Sequence, residues 1–226
     1  MKKYPKMLLV EGENDKSFFS ACCRKIGLED KIWVGPPNGL GDFSAGKDNA
    51  IKLLSVLIEL ASRDESDERI EAIGLVVDAD FPAAGGLGFA KTWERISHIL
   101  RAHAYAIPDV LDRSGKGFCF QHNDGLPQIG LWIMPDNLSQ GLLEDFVKKS
   151  VVGAEKSLLQ HAEQAVAGLK SPKFKPHHLG KAELATWLAW QAMPGQGLAG
   201  AVGGQLLDFK KGPTKLYIDW LARVFS

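Results

Sequence analysis

The stretch MLLVEGENDKSFFSACC (residues 7–23) decides how the chain is read. Residues 7–10 are a short continuous apolar run, the mark of a strand buried on both faces. After it Phe18, Phe19, Cys22, Cys23 and Ile26 recur with helical spacing, and Gly27 supplies a stop. Between strand and helix stand two acids, Glu11 directly after the run and Asp15 four residues on. A second stretch repeats the design: in IGLVVDADFP (residues 73–82) the apolar run ends in Asp78-Ala79-Asp80.

Working outward, residues 32–34, 118–120 and 129–134 are further strand candidates. Helical spacing runs through Ile51, Leu54, Leu57 and Ile58 behind a cap at or near Asp48, and through Phe89, Trp93, Ile96 and Leu100. It returns at 141–152, 158–169, 181–193 and 214–225. Residues 63–71 form a charged, solvated connection. Short apolar runs alternating with helices predict an α/β fold, with a mostly parallel sheet flanked by helices. The strands stop before residue 150, so the reading is a core over 1–150 and a helical C-terminal extension over 151–226 packed on it.

Composition narrows the function. Lys plus Arg and Asp plus Glu each number 27 in 226 residues, 45% of residues are hydrophobic and 24% are charged. That is globular composition with zero formal charge, so a nucleic-acid partner must be held by a local patch or by metal. Cys22, Cys23 and Cys119 make no C-x-x-C pair, which points away from a disulfide framework or a zinc knuckle. The four apolar residues near the start are too few for a signal sequence, and no run reaches membrane-spanning length. A soluble, cytoplasmic protein with no membrane partner is expected.

In a parallel α/β sheet the ligand crevice lies beyond the carboxyl ends of the strands. Glu11, Asp15, Asp78 and Asp80 all fall at such ends, and Asp136, Glu144 and Asp145 follow a later strand. Crowded carboxylates raise one another's pKa unless a cation neutralises them, and hard oxygen donors suit Mg²⁺ or Mn²⁺. Fifteen aspartates in 226 residues make about one D-x-D by chance. The argument therefore rests on the apolar strand before each cluster.

These residues carry a family resemblance. LLVEGENDKSFF, followed some sixty residues later by IGLVVDADFP, resembles a TOPRIM domain, the fold shared by topoisomerases, bacterial primases and OLD-family nucleases. The resemblance covers roughly residues 6–148. It implies a Rossmann-like sheet, Glu11 as catalytic or metal-shaping carboxylate, and Asp78 and Asp80 as metal ligands. The V-E-G-x-x-D form is similar to the OLD-like branch and adds Asp15. PDNLSQGLLEDFV (residues 135–147) adds Glu144, and Lys181 matches a transition-state lysine. The implied activity is Mg²⁺- or Mn²⁺-dependent phosphodiester hydrolysis of DNA or RNA. The alternative is a non-catalytic TOPRIM-like module that binds nucleic acid or protein. OLD nucleases carry an ATPase domain that this sequence lacks, so an ATPase partner would act in trans. Pro82 stands where topoisomerases have a third acid, which disfavours strand passage.

Other features have plainer readings. GDFSAGKD (residues 41–48) falls short of a phosphate-binding P-loop, because Asp48 replaces the Ser or Thr that would hold Mg²⁺. Lys47 is kept as a phosphate contact. Cys22 and Cys23 read as core hydrophobes, His177 and His178 as a surface loop, and Trp187, Trp190 and Trp220 as packing. KSPKFKPHHLGK (residues 170–181) is free of acids, so Lys170, Lys173 and Lys175 form the one candidate track for a phosphate backbone.

Overall fold

The computed structural model describes residues 4–63 and 69–226, so most of the connection expected at 63–71 lies outside the described residues. Five strands form one sheet: β1 (Lys6–Leu9), β2 (Trp33–Gly35), β3 (Ala72–Asp78), β4 (Phe118–Phe120) and β5 (Gln128–Met134). Their order is β2-β1-β3-β5-β4, parallel except for β4, which runs antiparallel to β5 at the edge.

The first two crossovers run in opposite directions along the sheet. Helix α1 (Glu13–Lys25) links β1 to β2, and α2 (Lys47–Arg63) links β2 to β3 on the far side of β1. Right-handed crossovers in opposite directions put their helices on opposite faces. The buried clusters agree, since strand residues alternate between them with the period of two that a pleat imposes. Leu9, Ile73, Leu75, Ile129 and Leu131 join α2 and helix α3 (Gly88–Ala102). Leu8, Val76 and Trp132 join α1 and the later helices. The strand order therefore reverses between β1 and β3, and the crevice of an open α/β sheet opens there.

The later helices are α4 (Leu143–Ser150), α5 (Lys156–Ala167), α6 (Leu179–Ala189), α7 (Leu198–Gly203) and α8 (Gly212–Phe225). They pack on the sheet, as expected of the extension, but α8 belongs to the core itself. Tyr217 and Trp220 are fully buried with Trp132 and Phe146 in one aromatic cluster. The strands leave room for α8 by carrying glycine at two positions beneath it. A Cβ on Gly130 would come within 2.4 Å of Val224, and one on Gly74 within 2.9 Å of Phe225. Residues 1–150, with α1 and α4 on this face, thus leave part of it uncovered without residues 212–225.

Two local expectations shift. The helix expected from residue 141 begins at Leu143, because Gly141 pairs with Asp80 and the Asp145 carboxylate accepts the Leu142 N–H at 2.8 Å. The six-residue α7 carries no period long enough to read from sequence. Among the described residues, no helix is long and apolar enough to cross a membrane.

Candidate metal centre at the switch point

Glu11 leaves the end of β1 and reaches across to β3, where its Oε1 accepts the Asp78 backbone N–H at 2.7 Å. The acid after the opening strand is therefore tied to the aspartate that closes β3. Asp78 Oδ1 in turn accepts the Leu143 N–H at 2.9 Å, which joins β3 to the first turn of α4. Glu144, the next residue of α4, is 9% exposed. Its carboxylate lies 3.8 Å from Lys181 Nζ of α6. Asp15, in the first turn of α1, accepts a hydrogen bond from the Gly12 backbone and feels the charges of Glu144 and Lys181.

Glu11, Asp15, Asp78, Glu144 and Lys181 line one cavity of about 980 Å³. With exposed Glu13 the lining holds five carboxylates against one lysine, and for the buried ones that makes the charged forms costly. Burial, then the neighbouring carboxylates, push Asp78 well above the ordinary range. Glu11 rises from 4.5 to about 7, mainly through burial, against the lowering effect of its Asp78 hydrogen bond. Asp15 rises from 3.8 to about 6 for the same leading reason. Such displaced carboxylates clustered in a cleft are characteristic of functional sites.

Asp80 departs from the expected set. Alternation along an extended strand would place both acids of a D-x-D on one face. The strand ends at Asp78, however, and Asp80 sits in the left-handed region at φ 65°, with its N–H bonded to Gly141 O. Its carboxylate is carried instead to Lys47, whose Nζ lies 2.9 Å from Oδ2 and 2.5 Å from the Asp78 carbonyl oxygen. Asp80 lines a second, neighbouring cavity of about 540 Å³ with Lys47, Asp48 and Arg95. Lys47 is consequently a stitch between the glycine-rich loop and the end of β3. Its side chain is only 11% exposed, and its charge is already spent on Asp80. Among the described residues, no three Asp, Glu, His or Cys side chains stand close enough to hold one ion as they are placed.

The other acids after β5 have structural duties. Asp136 accepts from the Ser139 backbone and hydroxyl and pairs with Lys149, while Asp145 caps α4. Lys170, Lys173 and Lys175 are exposed outside both cavities, and Lys181 at the end of that stretch reaches the acidic one. His177 and His178 are exposed, as read from the sequence, and Cys22 and Cys23 are buried free thiols. Trp187 and Trp220 are core residues, but Trp190 is 42% exposed against the His161 ring.

The sequence reading missed the far wall of the cavity. Leu184, Ala185 and Leu188 of α6, with Leu198 and Ala199 of α7, face the carboxylates. The only sequence signal for this wall was the apolar texture of residues 182–189, which also fits simple packing. A salt-bridge triad sits behind it, Lys148 of α4 pairing with both Glu163 of α5 and Glu183 of α6.

A family model described as a protein of unknown function (DUF3226) matches residues 5–226. The chain belongs to that family. The match runs through the switch point, both cavities and α8 alike, so the DUF3226 unit includes the C-terminal helices as well as the sheet. No curated protein and no solved structure matches the chain.

Proposed function

We propose that this DUF3226 protein is a metal-dependent phosphodiesterase of the OLD-like TOPRIM type, acting on DNA or RNA in the cytoplasm. The observation that carries the reading is the Glu11–Asp78 link across the β1/β3 switch point, with Asp15 and Glu144 facing the same cavity. The donor set fits a hard divalent ion, since it offers only carboxylate oxygens and a surplus of negative charge. Glu11, Asp15, Asp78 and Glu144 would hold Mg²⁺ or Mn²⁺, with Asp80 reserved for Lys47.

A bound divalent ion supplies charge neutralisation on phosphate and a more acidic water. The protein's own groups do the rest. Glu11 stands at the end of β1 beside Asp78, placed to take the proton of an attacking water, and a bound cation would draw its pKa below the metal-free value of about 7. Water adds to phosphorus, the bond to the departing oxygen breaks, and that oxygen leaves as an alcohol once protonated. Lys181 stands at the cavity with a 57%-exposed side chain, able to meet charge gathering on the phosphoryl group. Lys170, Lys173 and Lys175 continue outward from it as a track for the polyanion.

Nicking of supercoiled plasmid with 5 mM Mn²⁺ tests the proposal. Wild type is expected to nick and Asp78→Asn to lose at least a hundredfold. Equal activity in both would assign the nicking to a contaminant. A second reading, a non-catalytic module that binds nucleic acid or an ATPase partner, draws support from the spacing of the carboxylates, none of which form a threefold set as placed among the described residues. It predicts neither a metal response nor nicking.

A further inference from the structure

The cavity has two unlike walls. One carries Glu11, Asp15, Asp78 and Glu144, while the side built from α6 and α7 is mainly apolar, with Leu184, Ala185, Leu188, Leu198 and Ala199, and adds Lys181 and Gln196. A site that only clamped the backbone of a passing duplex would need no apolar wall. Phosphate contacts come from basic and polar groups, and the duplex keeps its bases inside.

We infer that the cavity takes one unpaired nucleotide, its phosphate on the carboxylate and Lys181 side and its base against the apolar wall of α6 and α7. The inference rests on the phosphodiesterase reading and adds the substrate class: single-stranded ends, overhangs or loops, including the transiently unpaired stretches of supercoiled plasmid, in preference to relaxed duplex. Enzymes that act on extruded nucleotides hold the base between apolar or aromatic side chains and meet an unpairing cost on duplex. Here the wall is mainly aliphatic, so stacking and burial of the base carry the binding, and Gln196 is its one side-chain amide. Ala185 and Ala189 are solvent-exposed residues of the cavity lining, which leaves room for a flat ring over the helix surface.

The test compares a fluorescent ten-nucleotide single strand, the same sequence as a blunt duplex, and supercoiled plasmid, all with Mn²⁺. The expected result is cleavage of the single strand at least tenfold faster than the blunt duplex. Ala185→Trp, or Ala189→Trp should the first not fold, is expected to slow single-strand cleavage at least tenfold while leaving the Mn²⁺-induced rise in melting temperature intact. Equal rates on single strand and duplex, or an unaffected Ala185→Trp, would overturn the inference and leave the nuclease reading standing. No cleavage of any of the three substrates would remove the nuclease reading and the inference together.

Discussion

Replacing Glu11 by Gln separates the cost of the buried charge from its use. The Gln Oε1 can still accept the Asp78 N–H, so the β1–β3 link survives while the negative charge goes. In the folded protein the Glu11 carboxyl is raised from 4.5 to about 7 by burial. A raised carboxyl favours the fold below its unfolded pKa, and that advantage is lost as pH climbs through the folded value. Between about pH 4.5 and 7 the metal-free wild type should therefore lose about 3 kcal/mol from this one group. Glu11→Gln escapes that loss. At pH 8 it should melt about 6–12 °C above wild type, given about 2–4 °C per kcal/mol for a chain of this size. At pH 4.5 the two should coincide. In 10 mM Mn²⁺ at pH 8 the gap should narrow by about half: wild type gains about 1.4 kcal/mol if the ion binds at about 1 mM, and the variant gains nothing. Scanning calorimetry with and without Mn²⁺ at both pH values reads all four numbers. A Glu11→Gln protein less stable than wild type at pH 8 without metal would refute the electrostatic reasoning. A metal response undiminished by the substitution would refute the ligand assignment.

Further expectations are simpler to read. The Mn²⁺-induced rise in melting temperature should be present at pH 8 and nearly absent at pH 5, where Glu11 and Asp15 are protonated, because protons and metal compete for the same oxygens. Lys173→Glu/Lys175→Glu should weaken single-strand binding in fluorescence anisotropy and lower the salt slope by about 2, with the Mn²⁺ response unchanged. Gly130→Ala drives a Cβ into Val224 and should cost about 1–3 kcal/mol in urea unfolding; adding Val224→Ala should recover much of it. Lys148→Met strands Glu163 and Glu183 and should destabilise the α4–α5–α6 packing by about 3 kcal/mol, less at high salt.

Much of the architecture was legible because buried parallel strands announce themselves as unbroken apolar runs. Residues 7–10 and 73–77 needed nothing but hydropathy and the acid that ended each. The direction of β4 was not legible, since three residues with two phenylalanines carry no sign of strand orientation. For the site, strand-end logic places Glu11 and Asp78 together correctly. It fails at Asp80 for a definable reason. The alternation rule assumes an extended backbone, and one left-handed residue beyond the strand turns the carboxylate toward Lys47. The apolar wall was hidden for a different reason. Residues 182–189 place their small and aliphatic side chains around both a core and a cavity, and spacing alone does not distinguish the two surfaces.

The glycines under α8 carry a consequence for how the molecule comes into being. The sheet's last strand ends at Met134, yet the helix that roofs it starts at Gly212, 78 residues later. Throughout synthesis of that interval, the part of β3 and β5 that α8 will cover, around Gly74, Gly130 and Trp132, lacks its partner. Contacts so distant in sequence form slowly, and the waiting face invites association with other chains. Growing chains of this protein are thus most exposed to aggregation just before their final helix emerges.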